Sequence, residues 1–544
     1  MEKVFNKFLL RLISLLIVNC SLFTVFAEHE FSLRIAPALV SPVGANQFGP
    51  GVGANASIDW AFWNFAGKFN FGLNLSGVFA SMNVINPKNK EYLGDPFTLF
   101  EGKGGIFVNW RPFDRWTFQT GFNVGVYQHS RGEERDTRGL LGGTLGAQFH
   151  LLPYLSLYAQ GGYTYRTFAK SGPLHSVDAA LGVKLNFSEI MGRRARVKIE
   201  KTQQNRVFPV SWAWYENNPV ATVKVSNEEP NAITGINLSF FMDSYMSQPW
   251  TFAEIPQLAA GESIEVPVTA LFNEAMMNLT ETVNANGTIQ LQYRSLGARK
   301  ETISSIQMPI FHRNTLSWDD DRRAAAFVSP KDSAARLFAR YVASAIEANP
   351  LQGNTPYNVQ HAIALFEALR LYGITYVVVP ATSFANVSAD ESVLDNVSFP
   401  YQALYYRGGD CSYLSILFCS MLEALNIESA FITIPGHIYI AFEVGDDTWQ
   451  ANNRNIIQID GDDGISRRWL PVEITVPGEG FNRAWTIGAL QWNKYGEKAA
   501  LYPIREAWKI YPPVTVPGSG DHPPIMPEWN EILRAIENQV SSIR

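Results

Sequence analysis

Residues 116–126, WTFQTGFNVGV, decide the fold of the first third of the chain. The large apolar side chains of this stretch all stand at even positions, and the odd positions hold only threonine, glutamine, glycine and asparagine. A period of two places alternate side chains on opposite faces of a β-strand. An apolar face backed by a polar or small one is typical of a barrel strand between lipid and a polar lumen.

The same alternation recurs from Phe31 to Phe187 and predicts eight strands, near 31–41, 51–63, 68–84, 97–110, 115–129, 139–151, 154–168 and 175–188. Tight connections such as 111–114 and 152–153 alternate with longer polar ones such as 86–91 and 130–135, as in outer-membrane barrels. We therefore predict an eight-stranded membrane barrel over 28–190, contacting outer-membrane lipid. Eight strands leave an interior filled by side chains, which indicates an anchor and not a pore. A soluble barrel or sandwich with inverted alternation is the alternative.

Residues 1–27 predict a signal peptide, since three basic residues precede a mostly apolar run that ends at Ala27. The mature protein would begin at Glu28. A lipoprotein signal with lipid on Cys20 is the alternative, although Asn19 fits that signal poorly. No later stretch has ~18 uninterrupted apolar residues, so no transmembrane helix is expected. An even number of barrel strands leaves both barrel ends on one side, and we expect everything after residue 190 to lie in the periplasm.

Bulk composition limits the partners. The net charge is −6 and only 17% of residues are charged, so there is no basic surface for nucleic acid. The chain has no CxxC or HExxH motif, and we predict neither a metal nor a cofactor. Cys411 and Cys419 lie eight residues apart on one predicted helix, about 12 Å at the helical rise, and a disulfide needs Cα atoms within about 7 Å. We expect them not to pair. Unpaired thiols are unusual in an oxidising compartment, so their presence calls for a structural or functional explanation.

Residues 195–315 contain short apolar runs with turn signals such as Asn286-Gly287 between them. This pattern predicts a β-sandwich, and the segment resembles the immunoglobulin-like modules of secreted bacterial proteins. It has no cysteine and no cluster of catalytic residue types. We interpret it as a spacer, with binding of a partner as the alternative.

The carboxy-terminal half becomes helical over 334–346 and 359–371, and then reaches Gly408-Gly409-Asp410-Cys411 directly before an apolar-periodic helix. Cys411 thus opens a helix, whose exposed N–H groups and dipole favour a thiolate. We therefore expect its pKa to lie below the ~8.5 of a free cysteine. The glycines allow a sharp turn and room for a substrate backbone. In contrast, Cys419 is predicted to be a core residue and His361 a structural one.

Two strand-like runs follow, one carrying His437 and the next carrying Glu473. The motifs at 408–411, 435–439 and 469–475 resemble those of the transglutaminase-like superfamily, in its bacterial cysteine-peptidase branch, and the resemblance covers about 325–495. It implies a papain-like α+β domain, over 322–500, in which Cys411 is the nucleophile, His437 the general base and then acid, and Glu473 the group that orients the imidazole.

The chain departs from the family pattern at two places. The third member of the triad is usually aspartate, and Asp460 competes with Glu473 for that role. Related sequences often have glutamine where Ser398 stands, and the shorter serine puts oxyanion binding at that position in doubt. The Cys411 N–H remains a candidate donor.

The sequence therefore predicts a multidomain, outer-membrane-anchored cysteine peptidase, amidase or acyl transferase that acts on peptide amide bonds. Its substrate would be a peptide or protein, with cell-wall peptides among the candidates. Two non-enzymatic alternatives stay open: a cell-envelope scaffold with a degenerate binding domain, and a surface adhesin that uses the outer barrel loops. Residues 501–544 are predicted to be a linker and a terminal helix. Both hydrolysis and acyl transfer fit these residues.

Overall fold

The computed structural model describes residues 29–65, 68–89, 91–167, 173–190, 195–349, 354–378, 384, 393–449, 456–460 and 466–541. The predicted signal peptide over 1–27, the mature start at Glu28 and the alternative lipid attachment at Cys20 lie outside these ranges. Within them, no helix has the length and apolar character needed to cross a membrane.

The first unit is a closed antiparallel barrel of eight strands. Each strand pairs with the next, and β1 pairs with β8 to close the barrel. A one-turn helix, α1 (Phe187–Ile190), follows β8. All eight predicted strands are present, as β1 (Glu30–Val43), β2 (Phe48–Phe65), β3 (Phe69–Val84), β4 (Phe97–Phe113), β5 (Trp116–Arg131), β6 (Glu134–Leu152), β7 (Leu155–Arg166) and β8 (Leu174–Asn186).

The outer face of the barrel is apolar and the inner face is polar. In β5 the apolar side chains at 116, 118, 122, 124 and 126 are between 38% and 58% exposed. The alternate residues Thr117, Gln119 and Asn123 are between 3% and 6% exposed. This is the reverse of a water-soluble barrel, which buries its apolar face, so the alternative of inverted alternation does not describe this barrel.

Paired charges fill the lumen. Arg34 donates to Asp59 at 2.8 Å, and both side chains are at most 4% exposed. Arg166 donates from Nε to Glu101 at 2.6 Å, and neither side chain is exposed. Buried charges are tolerated when they are paired and hydrogen-bonded, and these pairs occupy the space that a pore would need.

One barrel connection differs from the prediction. The expected longer loop at 130–135 is a two-residue turn, since β5 continues to Arg131 and β6 begins at Glu134. Gly132 has φ of 58°, the positive value that a tight hairpin requires. Polar residues at 130–131 and 134–138 were interpreted as loop, but they continue the hydrogen-bonded ladder. Backbone pairing does not require an apolar side chain, so polarity alone misplaced the strand ends.

The second unit consists of two antiparallel sheets over one hydrophobic core. One sheet has the order β13-β10-β9 and the other β12-β11-β14-β15. The two sheets contribute Val223 and Leu238, respectively, to the shared core. The immunoglobulin-like class and the spacer role remain predictions. The strands are β9 (Val197–Gln204), β10 (Ala221–Asn227), β11 (Ile233–Phe241), β12 (Trp250–Leu258), β13 (Ser263–Val268), β14 (Val283–Ser295) and β15 (Ala298–Ile310).

The third unit is a five-stranded antiparallel sheet, with the order β22-β23-β21-β20-β24, packed against helices. Its helices are α2 (Ser333–Ala348), α3 (Tyr357–Tyr372), α4 (Pro400–Tyr406), α5 (Cys411–Ala424), α6 (Phe481–Tyr495), α7 (Ile504–Ala507) and α8 (Trp529–Ser541). Its strands are β16 (Thr315–Leu316), β17 (Thr375–Tyr376), β18 (Asp395–Asn396), β19 (Gly408–Gly409), β20 (Ser429–Ile434), β21 (His437–Glu443), β22 (Ile457–Asp460), β23 (Ser466–Val472) and β24 (Ala500–Pro503). Across the second and third units together, short 3-10 helices cover Pro209–Glu216, Glu274–Asn278, Asp321–Phe327, Pro477–Glu479 and Gly496–Lys498.

The predicted boundary at 501 does not coincide with a structural one. The strand β24 extends the five-stranded sheet by pairing with β20. The terminal helix α8, predicted as such, packs on α3 and buries Ile532, Ile536 and Val540. These residues recur every four positions and form one apolar face, so the third unit continues to residue 541.

Candidate active site

Cys411 is the first residue of α5, the helix that packs on β20 and β21. Asp410 caps this helix, since its Oδ1 accepts hydrogen bonds from the N–H groups of Ser412 at 2.9 Å and Tyr413 at 3.1 Å. The local prediction, a cysteine that opens a helix, matches the structure.

The two glycines before Asp410, Gly408 and Gly409, lie close to β17 and to Tyr413. The short strand β19 pairs in parallel with β17. A Cβ atom at Gly408 would lie 2.8 Å from the Thr375 carbonyl oxygen, and one at Gly409 would lie 2.6 Å from Tyr413 Cβ. Glycine is therefore required at both positions because β17 and Tyr413 occupy the space that a Cβ atom would need.

His437 is the first residue of β21 and follows a two-residue turn, Pro435-Gly436. Gly436 has φ of 77°, which matches a type II turn with proline before glycine. The next N–H along β21, that of Ile438, is hydrogen-bonded to the Cys411 sulfur. The hairpin thus brings the histidine and the thiol to the same end of β21.

Glu473 directly follows β23, the neighbour of β21, and contacts His437. Its Oε2 lies 2.7 Å from His437 Nε2. Its Oε1 accepts from Thr475 N at 3.0 Å and Thr475 Oγ1 at 2.6 Å. Burial raises the pKa of Glu473, but the hydrogen bond and charge of His437, with the bonds from Thr475, outweigh burial and hold the pKa below the usual 4.5. The site therefore contains an ionised carboxylate that is 1% exposed.

The state of Cys411 is the opposite of the prediction. Burial, followed by the charge of Asp410, raises the pKa of its thiol to about 12, although the Ile438 and Ser412 N–H groups oppose this. Glu473 also raises it. The helix N-terminus was expected to favour the thiolate, but desolvation and two nearby carboxylates dominate. Cys411 therefore rests as a neutral thiol.

The other candidate residues lie apart from this contact. Asp460 is exposed at the end of β22, the edge strand of the sheet, so it is Glu473 that the fold brings to His437. The Ser398 side chain is hydrogen-bonded to Tyr413. Cys419 is fully buried within α5, and burial raises the pKa of its thiol. His361 is 3% exposed, and its Nδ1 lies 2.8 Å from its own helix's carbonyl oxygen at Tyr357.

Sequence reasoning missed three contributors to the site. Thr475 holds the carboxylate of Glu473, Ile438 donates to the sulfur, and Asp410 caps α5. The cap was readable, because aspartate before an apolar-periodic run is a helix-start signal. The Ile438 contact was not, because a backbone donor leaves no trace in residue identity. Among the described residues, no three His, Cys, Asp or Glu side chains cluster as metal ligands would.

Comparison with known proteins finds a likeness to outer-membrane β-barrel structures. No protein-family model and no curated protein matches the chain. Neisserial surface protein A is similar to 29% of the chain over 97% of its own length, with 14% identity and a TM-score of 0.22. The outer membrane protein Ail of Yersinia pestis is similar to 29% of the chain over its full length, with 17% identity and a TM-score of 0.21.

The β domain of the Bordetella autotransporter BrkA is similar to 52% of the chain over 96% of its own length, with 10% identity and a TM-score of 0.19. TM-scores this low do not establish a shared fold, so the barrel assignment rests on the strand pairing of this chain. The class that this pairing defines is a closed, eight-stranded antiparallel barrel, followed in the chain by a two-sheet β unit and a unit with an antiparallel sheet packed against helices.

Proposed function

We propose that the protein is anchored in an outer membrane by its barrel and carries a cysteine peptidase, amidase or acyl-transferase site of the transglutaminase-like type. The observation that carries the proposal is the ionised Glu473 carboxylate on His437 Nε2, beside a cysteine that begins the helix packed on the same sheet. A nucleophile, a base and a group that orients the base are the parts that covalent acyl chemistry requires.

The barrel supports the membrane anchor and its orientation. An apolar exterior around a charged lumen suits lipid outside and pairing inside. Both barrel ends emerge at the end with the short turns, where Lys300 of the sandwich pairs with Glu189 at 3.0 Å. Arg196 lies 3.9 Å from Glu30 at the same end. Short turns face the periplasm in such barrels, and the two units after the barrel would therefore lie there.

In the proposed mechanism His437, which contacts Glu473, exchanges protons with Cys411. Glu473 holds His437 through Nε2, which leaves Nδ1 as the ring nitrogen for proton transfer. His437 takes the proton of the Cys411 thiol as the sulfur attacks the amide carbon, and the carbonyl π electrons move to oxygen. The carbonyl re-forms as the C–N bond breaks, and the imidazolium gives its proton to the leaving amine. The product is a thioester, and Glu473 stabilises the imidazolium in between.

Because Cys411 rests as a neutral thiol, the loss of its proton and its attack on the substrate occur together. With a pKa of about 12, Cys411 does not form a standing ion pair, so proton removal accompanies attack on a bound substrate. The Cys411 N–H is the proposed donor to the developing oxyanion. Water or an amine then attacks the thioester carbon, with His437 as base, and the thiol is regenerated. The two acceptors give hydrolysis and transfer, respectively.

The test is acylation by p-nitrophenyl acetate, a small activated ester that needs no specific pocket. The full mature chain in detergent should release p-nitrophenolate and form an acetyl thioester on Cys411, found by mass spectrometry. His437→Ala should lose about 10²-fold or more in rate, the usual contribution of a general base. Cys419→Ala, a buried cysteine on the same helix, is the matched control and should keep the rate. Acetylation at equal rates with and without His437 would reject the proposal.

A binding scaffold is the second candidate, and one observation favours it. The neutral, buried thiol of Cys411, at the start of α5, is 4% exposed, which is typical of a structural cysteine. If this reading is right, the ester assay should show no Cys411 acetylation in the wild-type chain.

A further inference from the structure

The two carboxylate oxygens of Asp410, the residue before the proposed nucleophile, differ in their hydrogen bonding. Its Oδ1 accepts from Ser412 N, Ser412 Oγ at 2.7 Å and Tyr413 N. Its Oδ2 is buried and accepts no hydrogen bond from a protein group, in a residue that is 3% exposed. A buried carboxylate oxygen without a donor is costly, and each such group in a folded protein asks for an explanation.

The cap alone does not explain the carboxylate. Asparagine and serine serve as helix caps about as well as aspartate does, and they bring no charge into the interior. Aspartate differs by placing a negative charge on the residue directly before Cys411, and its second oxygen has no hydrogen-bond donor to offset that charge. The feature specific to this residue is therefore electrostatic.

We propose that Asp410 is a positioning residue that holds Cys411 as the neutral thiol in the resting protein, so that the nucleophile forms only when His437 takes its proton. This inference rests on the proposed function of Cys411. A like charge beside a titrating group disfavours its ionisation, most strongly where water is excluded. The neutral form has a use in an exported protein, because thiolates and not thiols are the species that oxidants attack.

Charged and polar groups on several elements act on this pair of residues. Around Cys411, the carboxylates of Asp410 and Glu473 oppose ionisation, and the Ile438 and Ser412 N–H groups favour it. The charge of Asp410 has the largest effect on the thiol after burial itself. Burial raises the pKa of Asp410 above its usual value, and the bonds from Ser412 and Tyr413 and the charge of His437 oppose this only in part. Two further groups interact with the pair, Tyr376 of β17 with both residues and Asp395 of β18 with Asp410.

The experiment compares the pH dependence of iodoacetamide alkylation of Cys411 in the full chain in detergent, with site assignment by mass spectrometry. Asp410→Asn keeps an acceptor for the helix cap and removes the charge. The alkylation rate at pH 8 should rise about tenfold, the change expected when the midpoint falls by about one pH unit. Cys419 in the same sample should stay unreactive and reports on opening of the fold.

Asp332→Asn is the matched control. Asp332 is also 3% exposed and caps a helix, α2, by accepting from Ala335 N at 2.9 Å. It should leave the Cys411 profile unchanged although it perturbs a cap of the same kind. If Asp410→Asn makes Cys419 reactive, the neutral cap of Asp410→Ser replaces it in the comparison.

The outcomes are separable from those of the ester assay. A faster Cys411 with an unreactive Cys419 supports the role of Asp410. An unchanged midpoint in both Asp410 variants overturns it, even if p-nitrophenyl acetate still acetylates Cys411. Absent acetylation in the wild type, together with a shifted alkylation profile, rejects the enzyme proposal and leaves the electrostatic role standing.

Discussion

Replacing Glu473 by glutamine tests the centre of the proposed site. The carboxylate lies 2.7 Å from His437 Nε2, and its other oxygen is held by Thr475. Glutamine has nearly the same shape, so its carbonyl can keep the bonds from Thr475. Its NH₂ group then donates to Nε2, which places the imidazole proton on Nδ1. An Nδ1 that already carries a proton cannot take one from the Cys411 thiol.

The size of the effect follows from the lost charge. A carboxylate and an imidazolium with charge centres ~4 Å apart attract by about 4 kcal/mol at an effective dielectric of ~20. His437 is partly exposed, with a side-chain exposure of 20%, so we discount this to about 3 kcal/mol. At 1.36 kcal/mol per tenfold change, the acylation rate should fall by roughly 10²-fold, and the wrong tautomer should lower it further.

The assay is p-nitrophenolate release from p-nitrophenyl acetate by the full chain in detergent. Asp460→Asn, a charge removal at the competing and exposed residue, is the control and should have no effect. A Glu473→Gln rate within about threefold of the wild type would refute the orienting role. Loss of rate in Asp460→Asn alone would give that role to Asp460, against the geometry.

Three further predictions concern the barrel and acid stability. Leu145→Lys places a charge on the 70% exposed apolar outer face and should cost about 2–4 kcal/mol in urea unfolding from lipid vesicles, whereas Glu133→Lys in a turn should cost little. Arg166→Ala removes the fully buried partner of Glu101 and leaves Lys103, 2.6 Å from the other carboxylate oxygen, as its remaining cation, so it should cost about 1–3 kcal/mol in the same assay. The lowered pKa of Glu473 gives stability that is present above about pH 4.3 and lost as the pH falls through its folded value; denaturant titrations should show this loss in the wild type and not in Glu473→Gln.

The barrel was predictable because its signal is local. Alternation of apolar and polar residues along one segment assigns each side chain to one face of a strand, and eight such segments give the number of strands. The strand ends were less predictable, as the turn at Gly132 shows, because backbone pairing continues through charged residues. The helix start at Cys411 was equally local, since glycine, an aspartate cap and an apolar-periodic run follow one another in the sequence.

The site depended on contacts between distant segments. His437 and Glu473 are 36 residues apart, and their contact exists because β21 and β23 are neighbours in the sheet. The sequence alone left Asp460 as a competitor of Glu473, whereas the sheet places Asp460 on an edge strand. The linker expected after residue 500 likewise became part of the sheet and core, because β20 and α3 offer surfaces that cover it.

The sequence by itself determined where the strands, the capped helix and the candidate nucleophile lie, because each depends on residues within a few positions. Only the tertiary structure decided the protonation state of that nucleophile. The helix N-terminus, visible in the sequence, favours the thiolate, but packing buries the sulfur and brings the Glu473 carboxylate close to it, and the net effect raises the pKa of Cys411 to about 12. Desolvation depends on the whole fold around an atom, and no local pattern encodes it.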